Sequence, residues 1–394
     1  MCVQHRRKWL HQSQNIEETC TQGKNIERTR FLVQGELAAL TGVRALACLS
    51  IVLGHSMFAL GFAWPERHLE WYAALDAHTW MLALVNLSEP VMDTFLILTG
   101  FLAAHSLGSA FQHGKAPRQV VGSYLRRRLL RIAVQAQFYL GFPVLLLLLR
   151  PAVRGLFRRM AVTAVIVIAA VTAYRAVIAL QFELPVPVFG PLDDPRMLEL
   201  MTRTLRLSYY SLLPRLTHLS FGVLGACSIR SKVVRGILVK RRTLANVSAA
   251  LAAALVAATL FGNRFGPAPD KAHLLASPAA LVIGVAGITG LLQPAALTYL
   301  IIHLALNVSE TLSGCLSWRG WRPFADSSYD VYLLHPMVMF GVWSVLAPGT
   351  WFDLQNPSPL PFLGVCAVVF GVSFVLARVH SRAWGWMLRR TLLA

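Results

Sequence analysis

Acid is scarce in this chain. Asp and Glu together number 18 against 37 Lys and Arg, and the formal net charge is +19. Charge of either sign is thin, at 14% of 394 residues, while 56% are hydrophobic. With a mean hydropathy of +0.55, a soluble domain could not hide this much apolar surface, so the class is polytopic membrane protein. The basic excess does not signal nucleic acid. The basic residues stand in short clusters between apolar runs, which is how cytoplasmic loops of membrane proteins look.

Cysteine is also sparse and scattered, at positions Cys2, Cys20, Cys48, Cys227, Cys315 and Cys366. No CxxC or Cys/His metal spacing occurs, so neither a metal site nor a disulfide framework is signalled. The first 30 residues lack an apolar core followed by a small-residue cleavage site. The first apolar run is therefore expected to serve as the membrane signal itself. No internal repeat of the transporter kind is visible.

What the chain has in quantity is long apolar segments. Nine are near the length of a spanning helix: about 37–61, 90–107, 132–149, 160–181, 212–229, 244–262, 277–308, 328–347 and 360–379. The seventh is too long for one simple helix and contains Pro294; a kinked span, or a span with a shallow re-entrant piece, fits it. Residues 108–131 hold Lys115, Arg118, Arg126, Arg127, Arg128 and Arg131 without an acid, and 150–159, 230–242 and the C-terminal stretch are likewise basic. Loops 62–89 and 348–360 are poor in base. Positive-inside logic places the basic set in the cytoplasm, together with both termini. Strict alternation fails around 132–149, which has basic loops on both sides. Either that segment does not cross, or a crossing is missing between Phe101 and Leu149; one added span there makes every later loop agree.

The expected architecture is all-α: a polytopic transmembrane helix bundle of about nine to ten spans. A polar cytoplasmic arm would cover 1–35, the membrane domain 36–380 and a basic cytoplasmic tail 381–394. The sequon Asn86-Leu87-Ser88 falls in a loop expected outside, close to the next helix.

Within the first apolar run stand Arg44 and His55, eleven residues apart. That is almost three helical turns, so both side chains leave one stripe, roughly 16 Å apart along the axis. A guanidinium and an imidazole are costly at membrane depth and usually mark a working site there. The plain alternative for His55 is a packed histidine hydrogen-bonded to a neighbouring helix. Asp93 opens the second long run, where it would either orient His55, pair with Arg44, or serve as a helix N-terminal carboxylate. Tyr329, Tyr332 and His335 recur at spacings of three and share a face. They would line a site or form an interfacial aromatic belt, with Pro336 as punctuation near a helix start. Arg215 shares a face with His218.

The run Leu40-Thr41-Gly42-Val43-Arg44 with His55 resembles the start of the acyltransferase 3 family, whose hallmark is an arginine and a histidine with ten residues between them. Further pieces follow in the family's order. They are Val91-Met92-Asp93-Thr94-Phe95 with Thr99-Gly100-Phe101-Leu102, the arginine-rich stretch Tyr124–Ile132, and Gln137-Phe138-Tyr139 with Pro143. Pro214-Arg215-Leu216 with Gly222 and Gly225 comes next, then Ser328-Tyr329-Asp330-Val331-Tyr332-Leu333-Leu334-His335-Pro336. The resemblance covers about 36–380 and is nearest in flavour to the nose resistant to fluoxetine branch, without that branch's long N-terminal extracellular domain.

The resemblance implies an integral-membrane O-acyltransferase that takes an acyl group from acyl-coenzyme A, a co-substrate rather than a bound cofactor. The acceptor would be a hydroxyl of a lipid, sugar or other molecule. Such a transfer needs a base for the hydroxyl proton, and histidine suits because its ordinary pKa lies near neutrality. His55 is expected as that base. Arg44 is expected to hold the donor or the acceptor, since a guanidinium stays charged and cannot be the base. Asp93 completes the expected catalytic set, with Tyr329, Tyr332, His335 and Arg215 as secondary candidates. Arg126, Arg127, Arg128 and Arg131 would meet the phosphates of coenzyme A, or simply face anionic lipid. Two other readings suit the same residues: a permease or lipid transporter, and a catalytically inactive relative.

Overall fold

The computed structural model describes residues 37–63, 67–112, 155–182, 212–261, 287, 290–346 and 352–393. Among these there is no strand. The helices, in chain order, are α1 (Ala38–Ala63), α2 (His68–Ala77), α3 (Thr79–Gln112), α4 (Leu156–Phe182), α5 (Leu212–Arg230), α6 (Lys232–Lys240), α7 (Arg242–Phe261), α8 (Gln293–Ala305), α9 (Glu310–Leu316), α10 (Arg322–Val345) and α11 (Pro359–Leu393). The chain is an all-α membrane helix bundle. Of the described helices, five are long and apolar enough to cross a membrane: α1, α3, α4, α7 and α11. The α8–α9 pair, bent by 91°, makes a sixth if counted as one span. The expected segment 132–149, and with it the crossing argued to be missing, lies outside the described residues.

α1 and α3 form the spine. The N-terminal part of α1 and the C-terminal part of α3 join α4, α5, α8 and α9 around Leu40, Ile97, Phe101, Ala226 and Ile301. Their other halves join α2, α10 and α11 around Ile51, Met57, Met81, Val331 and Phe362. α3 and α5 make the most extensive pair, and small residues are the reason. A Cβ on Gly100 would overlap the Leu219 carbonyl, and one on Gly222 would overlap the Ile97 carbonyl. Two glycines from opposite helices thus let the backbones touch, the usual means of close packing in lipid. By contrast α4 and α7 bury little of their apolar stripe: Val165, Ile166, Leu244 and Leu251 are exposed. That is how a helix at the lipid boundary looks. Between α5 and α7, α6 has no buried residue. Its Val234 and Leu238 turn inward while Val233 and Ile237 stay open.

Several expectations change here. The second span was expected to begin at 90; α3 begins at Thr79 and runs on through Pro90. Asp93 therefore lies mid-helix, and is not a helix-start carboxylate. Asn86 is buried within α3 and donates its amide to the Leu260 carbonyl at 2.8 Å. The sequon is a helix–helix contact and not a loop acceptor. Pro294 sits at the first turn of α8, where a proline is tolerated, directly after the π-helical residues 290–292; the break in this region is the 91° bend between α8 and α9. Pro336 lies inside α10 and does not punctuate a helix start. Membrane helices accept internal prolines where neighbours satisfy the freed backbone.

Candidate active site

The seam between α1 and α10 collects the first group of polar residues. Gly54 brings α1 hard against α3: a Cβ there would stand 3.0 Å from the Leu84 carbonyl and 3.1 Å from the Ser88 nitrogen. The next residue, His55, then turns toward α10. Its Nδ1 lies 2.8 Å from Nε2 of His335. The rings are 25° from coplanar with centroids 5.0 Å apart, which is an edge-to-edge contact through nitrogen and not a face-on stack. Nδ1 of His335 lies 2.7 Å from the Tyr332 carbonyl oxygen. His335 is 1% exposed, whereas His55 is only partly buried.

Three turns back along the same stripe, Arg44 Nη2 donates to the Ala325 carbonyl at 2.9 Å and to Ser328 Oγ at 3.2 Å. Ser328 in turn donates to Ala325 at 2.8 Å. Between them the Cys48 thiol donates to the Ser328 carbonyl at 3.6 Å. Arg44, Cys48 and His55 thus meet Ala325, Ser328 and His335 in register, one helix face against another. The stripe read from the spacing of Arg44 and His55 is real, and α10 is what it faces. Tyr332 packs its ring against Phe95 of α3 and against His335. Tyr329 lies one turn earlier on α10, half-buried.

Asp93 belongs to a second cluster on the other side of α3. Its Oδ1 lies 3.0 Å from Nε2 of His218 on α5. Its Oδ2 accepts from Nε2 of Gln293 on α8 at 2.9 Å. All three side chains are buried. Arg175 of α4 approaches the same region, donating to the Pro214 carbonyl at 3.1 Å, and is itself buried. Nδ1 of His218, Nε of Arg175 and Oγ1 of Thr298 are buried without a hydrogen-bond partner. The structure therefore joins His55 with His335, sets Arg44 on the same seam, and seats Asp93 apart from both. Asp93 neither orients His55 nor pairs with Arg44. Arg215 is half-buried on α5, next to Pro214. Arg126, Arg127, Arg128 and Arg131 lie outside the described residues.

Sequence reasoning passed over Arg175 and Gln293. Arg175 carried a usable signal, a guanidinium inside the apolar run 160–181. Gln293 carried none beyond its place before Pro294. Among the described residues no group of three or more His, Cys, Asp or Glu is arranged to hold a metal ion.

Compared with known families, the chain matches the model described as "Acyltransferase domain" over residues 37–146 and again over 132–378. The two stretches overlap at 132–146, so the family pattern restarts within the segment where the loop charges break alternation. No curated protein and no solved structure matches the chain.

Proposed function

The chain belongs to this acyltransferase family, and from that membership we propose an integral-membrane O-acyltransferase that uses acyl-coenzyme A. It is a multi-pass membrane protein, and its general activity is acyl transfer. The donor is a coenzyme A thioester and the acceptor a hydroxyl of a lipid, a sugar or a related molecule. His55 takes the hydroxyl proton as the oxygen attacks the thioester carbonyl. Arg44 holds an anionic or carbonyl group of one substrate on the same stripe. The basic residues Arg126, Arg127, Arg128 and Arg131 meet the phosphates of coenzyme A from the cytoplasm, where both termini lie.

The observation that carries this reading is the imidazole pair. His55 is partly open and is held by an imidazole that is not, as a general base and its support would be. A positioned base contributes about 10²–10⁴-fold to such a proton transfer. The test is purified wild type against His55→Ala, with acetyl-coenzyme A and a panel of sugar and lipid hydroxyls. Transfer should fall by roughly that factor. An undiminished rate removes His55 from the mechanism.

A second reading rests on the Asp93–His218–Gln293 cluster with Arg175 beside it. Buried carboxylate, imidazole and guanidinium groups within a bundle also suit an ion- or proton-coupled permease. Solute flux into vesicles without consumption of thioester would favour that reading over the enzyme.

A further inference from the structure

In an α-helix each carbonyl accepts from the N–H four residues on. Pro336 has no N–H, so within α10 the Tyr332 carbonyl has lost its ordinary donor. Nδ1 of His335 takes that place at 2.7 Å. A carbonyl can only accept, so Nδ1 of His335 carries a proton, and Nε2 of the neutral ring carries a lone pair. That lone pair lies 2.8 Å from Nδ1 of His55, so Nδ1 of His55 must be the donor. The neutral His55 ring then has its own lone pair on Nε2. The chain of constraint runs from a missing backbone hydrogen, through one imidazole, to the free nitrogen of another.

Exposure separates the two roles. At 1% exposed, His335 cannot reach a substrate, while His55 is partly open. We propose that His335, set by Pro336, is a positioning residue that holds His55 with Nε2 bare and ready to accept the acceptor's proton. This rests on the reading of His55 as the base. In the reaction the hydroxyl proton passes to His55 Nε2 as the hydroxyl oxygen bonds to the thioester carbonyl carbon. The carbon–sulfur bond then breaks, and the sulfur leaves with the proton returned from Nε2. An ester and a free thiol result, and both rings end neutral. While His55 is charged, its Nδ1–H donates to the His335 lone pair, a charge-assisted bond that stabilises the imidazolium. The opposite His55 tautomer would aim two lone pairs at each other and leave no base on Nε2.

Three variants of the full chain test this: His335→Gln, whose carbonyl oxygen can still accept from His55; His335→Leu, which cannot; and Pro336→Ala, which returns a backbone donor to the Tyr332 carbonyl. Two readouts are taken on protein that elutes as wild type does. One is release of coenzyme A from acetyl-coenzyme A with glucose or dioleoylglycerol as acceptor. The other is ¹⁵N NMR of the histidine rings, with His55 assigned by its loss in His55→Ala. Wild type and His335→Gln should show His55 protonated on Nδ1, and His335→Leu and Pro336→Ala a tautomer mixture. For His335→Leu, kcat should fall by about 10²-fold with KM little changed, His335→Gln should recover most of that loss, and Pro336→Ala should fall between.

A wild-type His55 protonated on Nε2, or a tautomer that ignores His335, overturns the proposal. Should His55→Ala abolish transfer while all three variants keep full kcat, this inference fails and the base assignment stands. Should His55→Ala keep full activity, the base assignment fails and the catalytic role of His335 with it, whatever the NMR shows.

Discussion

Asp93 shows what a single side chain contributes when both its oxygens are engaged. It accepts from Gln293 and contacts His218 in a site closed to water. Removing one partner of such a group strands the others without water to replace it. Asp93→Ala should cost about 3–5 kcal/mol, as for a broken buried pair, and Asp93→Asn less, because its amide keeps one acceptor. Thermal melting of the detergent-solubilised protein measures both. At this scale the sequence was half legible. Arg44 and His55 announced themselves because polar groups are rare in apolar runs, and their eleven-residue spacing fixed a shared stripe. Their partners did not. His335 lies 280 residues from His55 and Ser328 lies 284 from Arg44, and no local pattern encodes which helix will pack on which. For the same reason the sequence leaves Asp93 open to His55 or Arg44, whereas helix rotation sends it to the opposite side of α3.

Among elements, helix cores were easy to read and helix ends were not. Apolar runs marked α1, α4, α5 and α7 to within a few residues, whereas α10 starts six residues before its run. The start of α3 was misplaced by eleven residues because Pro90 reads as a boundary in water, whereas a bundle in lipid can carry proline inside a helix. Contacts between elements rest on residues too small to attract notice. Gly100 and Gly222 each meet the other helix's backbone. Gly222→Val must push α3 and α5 apart or strain them, at about 1–3 kcal/mol of overpacking. The loss should appear as a lower melting temperature. Gly236 on α6 has open space around it, so Gly236→Ala serves as the control and should melt no lower than wild type.

For the molecule as a whole, charge orders the two ends. Arg242 pairs with Glu310 at 3.0 Å on the end that also carries the basic α6 helix. At the other end Phe352 packs on Trp80 and Phe362, and Leu354 is buried in the same cluster. On the proposed orientation the first end faces the cytoplasm, as positive-inside logic expects. In sealed right-side-out vesicles of a variant lacking its native cysteines, an impermeant maleimide should label Asp353→Cys from outside. It should label Ile237→Cys only after permeabilisation, and the reverse pattern would invert the orientation. Between these ends, α3 presents Phe95 to the histidine seam and Asp93 to the other cluster, only two residues apart. From Val91 to Leu98 each position on this rod is buried except Thr94 and Phe95, which are half-buried. It has no idle side. A substitution on this stretch that shifts the backbone under one cluster shifts it under the other, so α3 ties the two sets of contacts together mechanically.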